Sequence, residues 1–230
     1  MHEVTNRQFP AAMQGGFSIF AALGLVEIQF SIRRGHYPIT NHLSNMYFPQ
    51  FFTDFSNNLT RLLLQNATNE GLLAGQLLTT EDFDDKWSQI APEYMADAVQ
   101  EIAGYPAVAI AWAAYVGMGV AVLWDTEWEK HAITPDTYQL FKTPRGFDEM
   151  DEYIMEELLG IPAESAGFVQ VEKFLRASAE VALTLIRKEN IPPQSIEAYQ
   201  LFSDCVTIFY RLGASLCLHG RGYAYHPAGN

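Results

Sequence analysis

Cysteine is nearly absent: Cys205 and Cys217 are the two in 230 residues. Both fall in one stretch of helical periodicity, where the rise between them is about 18 Å, against the roughly 7 Å a disulfide tolerates between Cα atoms. An intrachain bridge does not fit that placement. Free thiols suit a reducing compartment, so a cytoplasmic location is expected. Positive charge is scarce too. Lys plus Arg number 14 against 27 Asp plus Glu, a formal charge of −13. Nucleic acid, whose phosphates demand a basic face, is not an expected partner, and anionic lipid headgroups are equally poorly served. Charged residues make up only 18% of the chain, while 49% is hydrophobic and 13% aromatic. That balance excludes a disordered chain.

Recognisable catalytic signatures are missing as well. There is no H-E-x-x-H, no phosphate-binding loop of the Walker kind and no Rossmann glycine pattern. Gly213-Ala214-Ser215-Leu216-Cys217 lacks the second glycine of a nucleophile elbow and lies inside a helical pattern, so Ser215 reads as a packing residue. No Glu stands three residues before a histidine, as a bundle di-iron site would require. The acidic run 148–152 lacks both the spacing and the glycine of a calcium loop, and reads as a solvated helix face.

What the chain has is one long apolar run. Tyr105 to Trp124, YPAVAIAWAAYVGMGVAVLW, carries no charge. As a helix it is about 30 Å long, enough to cross a small domain or a bilayer. Ala109, Ala113, Gly117 and Ala121 share one side of the wheel, while Tyr105, Trp112 and Tyr115 gather on another. A helix apolar all round must be surrounded, and its small side invites a neighbouring backbone to come close. Acidic residues flank the run on both sides, and no Lys/Arg bias sets an orientation across a membrane. A buried core helix is therefore preferred to a membrane span over 105–124.

The remainder is organised around that helix. Residues 1–45 form a poorly specified N-terminal extension, with a short helix or strand at 17–32. From Met46 onward the apolar spacing is helical: Phe48, Phe51, Phe52, Phe55, Leu59, Leu62 and Leu63 recur every three to four positions. Thr80 precedes EDFDD, a helix start, and Pro92 is expected to open a further helix ending near Gly104. Thr134-Pro135-Asp136 suggests a capped short helix, and Phe147, Met150, Ile154 and Leu158 another, stopped at Gly160. Long helices are expected over 164–189 and from a Ser195 cap to Gly220, the latter at a C′ position. Residues 221–230 are read as a C-terminal tail. The fold class expected is all-α: a single-domain antiparallel helical bundle over 46–220 around a buried Ala/Gly-rich central helix.

Two clusters carry candidate chemistry. The first follows the central helix as Trp124-Asp125-Thr126-Glu127-Trp128-Glu129-Lys130-His131. Asp125 and Glu129 lie one turn apart, as do Glu127 and His131. Asp125, Glu129 and His131 could hold a divalent metal or run acid–base chemistry, with Trp124 and Trp128 as apolar walls. The plain alternative is an amphipathic helix end with its acids in water. The second cluster is His219-Gly220-Arg221-Gly222-Tyr223-Ala224-Tyr225-His226, two histidines, an arginine and two tyrosines on a glycine-spaced segment. His219, Arg221, Tyr223 and Tyr225 could close over an anionic ligand or a partner's groove; the alternative is a helix cap and a docked tail. No cofactor is expected beyond a possible divalent metal. The preferred reading is a non-catalytic interaction or accessory protein, with a protein partner or a second copy of itself. A metal- or small-ligand-binding enzyme, and a membrane protein spanning at 105–124, are the rivals.

Overall fold

A computed structural model describes residues 48–225, apart from Ala103, Pro193 and Gln194. The extension 1–45 with its suggested element at 17–32, and the last five residues of the tail, lie outside the described residues. The described residues are all helical, with no strand among them. In chain order the elements are α1 (Phe48–Asn69), α2 (Glu81–Glu101), α3 (Pro106–His131), α4 (Thr137–Lys142), α5 (Met150–Tyr153), which runs on into a π-helical turn (Ile154–Leu158), α6 (Ala166–Lys188) and α7 (Ile196–Gly220).

Helix α3 is the interior. Pro106 occupies its first turn, where a missing N–H costs nothing. From Ala109 to Val122 every residue except Trp112 is buried, so the helix has no solvent face to define an amphipathic stripe. The other long helices supply stripes that close on it. In α1 Phe55, Leu59, Leu63 and Ala67 point inward at four-residue spacing, and in α6 Phe174, Leu175, Ala179, Ala182, Leu183 and Ile186 do. Helix α7 is packed most closely against α3. Its N-terminus is capped by Ser195, whose Oγ accepts from the Ala198 N–H at 3.1 Å.

Two glycines explain that closeness. A Cβ on Gly117 would sit 1.9 Å from the Tyr210 carbonyl oxygen, and a Cβ on Gly213 would sit 1.8 Å from that of Ala114. Each helix presses its backbone into the gap left by the other's missing side chain. Ala114 meets Gly213, and eleven residues on Asp125 meets Arg221 of the segment leaving α7, so α3 and α7 run in the same direction. Helix α2 runs against both, pairing Trp124 with Asp82 and Ala109 with Tyr94 along α3, and Tyr210 with Phe83 and Thr207 with Trp87 along α7.

Three local expectations are corrected. Pro92 does not open a helix; it lies inside α2. The Ser88 carbonyl that loses its N–H partner belongs to an exposed residue, as does Pro92 itself. On the opposite face Phe83, Trp87, Ile90, Tyr94 and Ala98 stay buried across the proline, and that burial holds the helix together. Helix α3 does not end near Trp124 but continues to His131, with a kink at Glu127 (φ −142°, ψ 34°). Lastly, the left-handed glycine that ends α7 is Gly222 (φ +88°), not Gly220. The Tyr223 N–H reaches the Leu218 carbonyl at 3.0 Å and the Gly222 N–H that of His219 at 3.0 Å, a Schellman turn.

Helices α3 and α7 are long and apolar enough, by length and composition, to cross a membrane. Their most apolar stretches are also 72% and 78% buried inside the molecule.

Candidate functional site

The two clusters that the sequence places almost a hundred residues apart meet in space. The Schellman turn at Gly222 sends the chain back toward the exit of α3. There the Asp125 carboxylate accepts from Arg221 Nη1 at 2.6 Å and from the Tyr223 hydroxyl at 2.5 Å. Those bonds, the Tyr223 one foremost, hold the Asp125 carboxyl below its ordinary range. Trp124 braces the junction: its ring meets Tyr223 edge-on at 5.9 Å and Phe83 at 5.6 Å, while its Nε1–H donates to Asp82 at 2.8 Å.

The proposed metal ligands are not brought together. Asp125 is taken by Arg221 and Tyr223, Glu129 is exposed, and His131 is buried with its Nε2 3.5 Å from Glu127. Among the described residues no three His, Cys, Asp or Glu side chains converge as a ligand set. The physical reason is that residues two apart on a helix, as Glu129 and His131 are, face opposite sides, and the kink at Glu127 does not bring them round. Trp128 is half-buried beneath the Lys86 ammonium, 5.8 Å from its ring centre, and Tyr225 is exposed.

Nothing in the sequence singles out Lys86. It is fully buried, and its Nζ donates to the carbonyls of His131 (2.7 Å), Ala132 (3.0 Å) and Thr134 (3.2 Å), and to Gln89 Oε1 (2.9 Å). A cation is thereby set against the carbonyls at the negative dipole end of α3. Burial lowers its pKa.

Beside the Asp125 junction lies a cavity of about 440 Å³. Met118 of α3, Leu159 and Ile161 beyond the π-helical turn, Val171 of α6, Leu216 of α7 and Leu72 of the α1–α2 connection give it apolar walls. Its side chains with polar ends are Gln170, His219, Arg221 and Cys217, the last a thiol that burial pushes up in pKa. The loop forming one side is fixed by Ser215, whose Oγ accepts from the Leu78 N–H at 2.9 Å. Thus His219 and Arg221 stand at a cavity, whereas Trp124, Tyr223 and Asp125 fasten the segment that carries Arg221. The apolar lining comes from five separate elements, so no local pattern in the sequence could have announced it. Comparison with protein-family models, curated proteins and solved structures finds no match to this chain.

Proposed function

We propose that this protein is a non-catalytic binding protein which holds a small, mainly apolar molecule with an anionic end in the cavity beside α7. The observation that carries the reading is the cavity itself, about 440 Å³ of mostly aliphatic wall with His219 and Arg221 among its few polar groups. That size and that mixture are those of small-molecule sites, where apolar surface supplies affinity and a few polar groups fix orientation. Arg221 supplies a permanent cation, and its pairing with Asp125 holds it in place before a ligand arrives. The accessory role read from the sequence becomes, on this proposal, the carriage or sensing of such a molecule. A soluble, cytoplasmic location is part of it, supported by the buried free thiols of Cys205 and Cys217 and by the burial of both long apolar helices.

Decanoate, decanol and decyltrimethylammonium, each titrated below its micelle concentration, are the probes. Decanoate should raise the unfolding temperature saturably, decanol less, and the cationic probe least. Val171→Trp, which fills the cavity, should abolish the effect. If all three probes act alike, or Val171→Trp binds as the wild type does, the proposal fails.

A further inference from the structure

A second pocket lies elsewhere on α3, and its chemistry is opposite. It measures about 80 Å³ and is lined by Ala107, Ala111, Trp112 and Tyr115 of α3, Asp151 of α5, and Glu172 and Arg176 of α6. Tyr115 is 97% buried by its 3% exposure, and its hydroxyl makes no hydrogen bond with any described residue. That hydroxyl oxygen is not one of the sealed-in polar atoms without a partner, so the little exposure Tyr115 has opens it to the pocket, where an entering group can meet it. Asp151 has no cationic partner either. Arg176 pairs with Glu172 at the exposed rim, and Arg145 is taken by Glu152, Glu156 and Glu157. The Asp151 carboxyl, which accepts the backbone N–H groups of Asp151 and Glu152, and the Tyr115 phenol are thus the two polar groups in the pocket without a side-chain partner, beside the half-buried Trp112 ring and the small side chains of Ala107 and Ala111.

We propose that this pocket binds a small organic cation, a primary amine of roughly three to five non-hydrogen atoms, the size a space of two or three waters admits. The ammonium donates to the Asp151 carboxylate and to the Tyr115 hydroxyl oxygen, and its short carbon chain lies against Trp112 and the two alanines. An aromatic wall next to an uncompensated carboxylate favours an organic cation over a hydrated metal ion or an uncharged alcohol. The titratable and charged groups around Asp151 are Tyr115 from α3, Glu172 and Arg176 from α6, and Glu152 from its own helix. Burial raises the Asp151 carboxyl to about 6, so the site carries its charge at pH 8 and has lost most of it at pH 5.

The test is calorimetric titration of the full chain with n-propylammonium chloride, with potassium chloride and n-propanol as controls. Propylammonium should bind saturably at pH 8 and at least tenfold more weakly at pH 5. Asp151→Asn should lose the binding, Tyr115→Phe should weaken it several-fold, and Ala107→Leu should block it with both polar groups intact. Val171→Trp, which fills the other cavity, should leave it unchanged. Circular dichroism confirms that each variant is folded. Absence of saturable binding to the wild type, equal binding by Asp151→Asn, or equal binding of potassium or propanol would overturn the proposal.

Discussion

At the scale of single residues, the molecule depends on a few polar groups placed where burial makes them consequential. Lys86 is the clearest. Replacing it by Met keeps the volume of the stem but removes the charged donor shared by the carbonyls of His131, Ala132 and Thr134, leaving His131 the Thr134 N–H and Thr134 the Thr137 hydroxyl. A loss of about 1.5–3 kcal/mol is expected from the forfeited hydrogen bonds of a charged donor at the α3 terminus. Urea unfolding measures it, and an unchanged midpoint would mean that these bonds contribute nothing net. Asp151 works in the other sense. Its folded pKa, near 6, lies above the ordinary value of 3.8, so folding disfavours its ionised form. The penalty is absent well below pH 3.8, grows as pH rises toward 6, and is constant beyond. Asp151→Asn should therefore gain stability of order 1–3 kcal/mol over the wild type at pH 8, and none at pH 3. Parallel unfolding curves at the two pH values are the check.

At the scale of elements, the α3–α7 pair is the decisive contact. The small side of α3 was legible in Ala109, Ala113, Gly117 and Ala121, because residues four apart share a helix face. Which neighbour it receives was not, since nothing local in α7 distinguishes Gly213 from any helical glycine. An alanine at Gly117 would ordinarily gain about 1 kcal/mol of helix propensity. Here its methyl would collide with the Tyr210 backbone, which cannot step aside as a side chain can. Gly117→Ala and Gly213→Ala should each cost about 3 kcal/mol or more, because the helices must move apart. The double variant should cost less than their sum, since the first separation relieves the second clash. The Ser195 cap and the break between α2 and α3 were readable from local chemistry. Pro92 was misread because burial on both sides of it, a tertiary fact, overrode the local preference. Gly220 was misplaced against Gly222 because two glycines in three residues offer the same conformational freedom, and only the return of Tyr223 to Asp125 selects between them.

At the scale of the whole molecule, the candidate sites separate what a sequence can show from what it cannot. His219 and Arg221 stood out as polar groups beside glycines, and they line a cavity. Asp125 and Glu129 stood out one turn apart, but His131 lies two residues past Glu129 on the far side of the helix, and no ligand set forms among the described residues. Met118, Val171 and Leu216 are ordinary core residues in sequence; only the fold sets them around one space. The same fold buries Cys205 and Cys217, both as free thiols. Titration with a thiol reagent should find little reaction in the native protein and two thiols per chain after denaturation without reductant. A count near zero would contradict the placement of both cysteines in α7.

The central claim is that the cavity beside α7 receives an anionic, mainly apolar ligand. Met118 reports on it directly, for it is buried in α3 and lines that cavity, whereas Met95 and Met150 are buried away from it. With methyl-labelled methionine, decanoate should shift the Met118 resonance saturably and leave those of Met95 and Met150 in place. A Met118 resonance that stays fixed while decanoate saturates the protein would contradict the account.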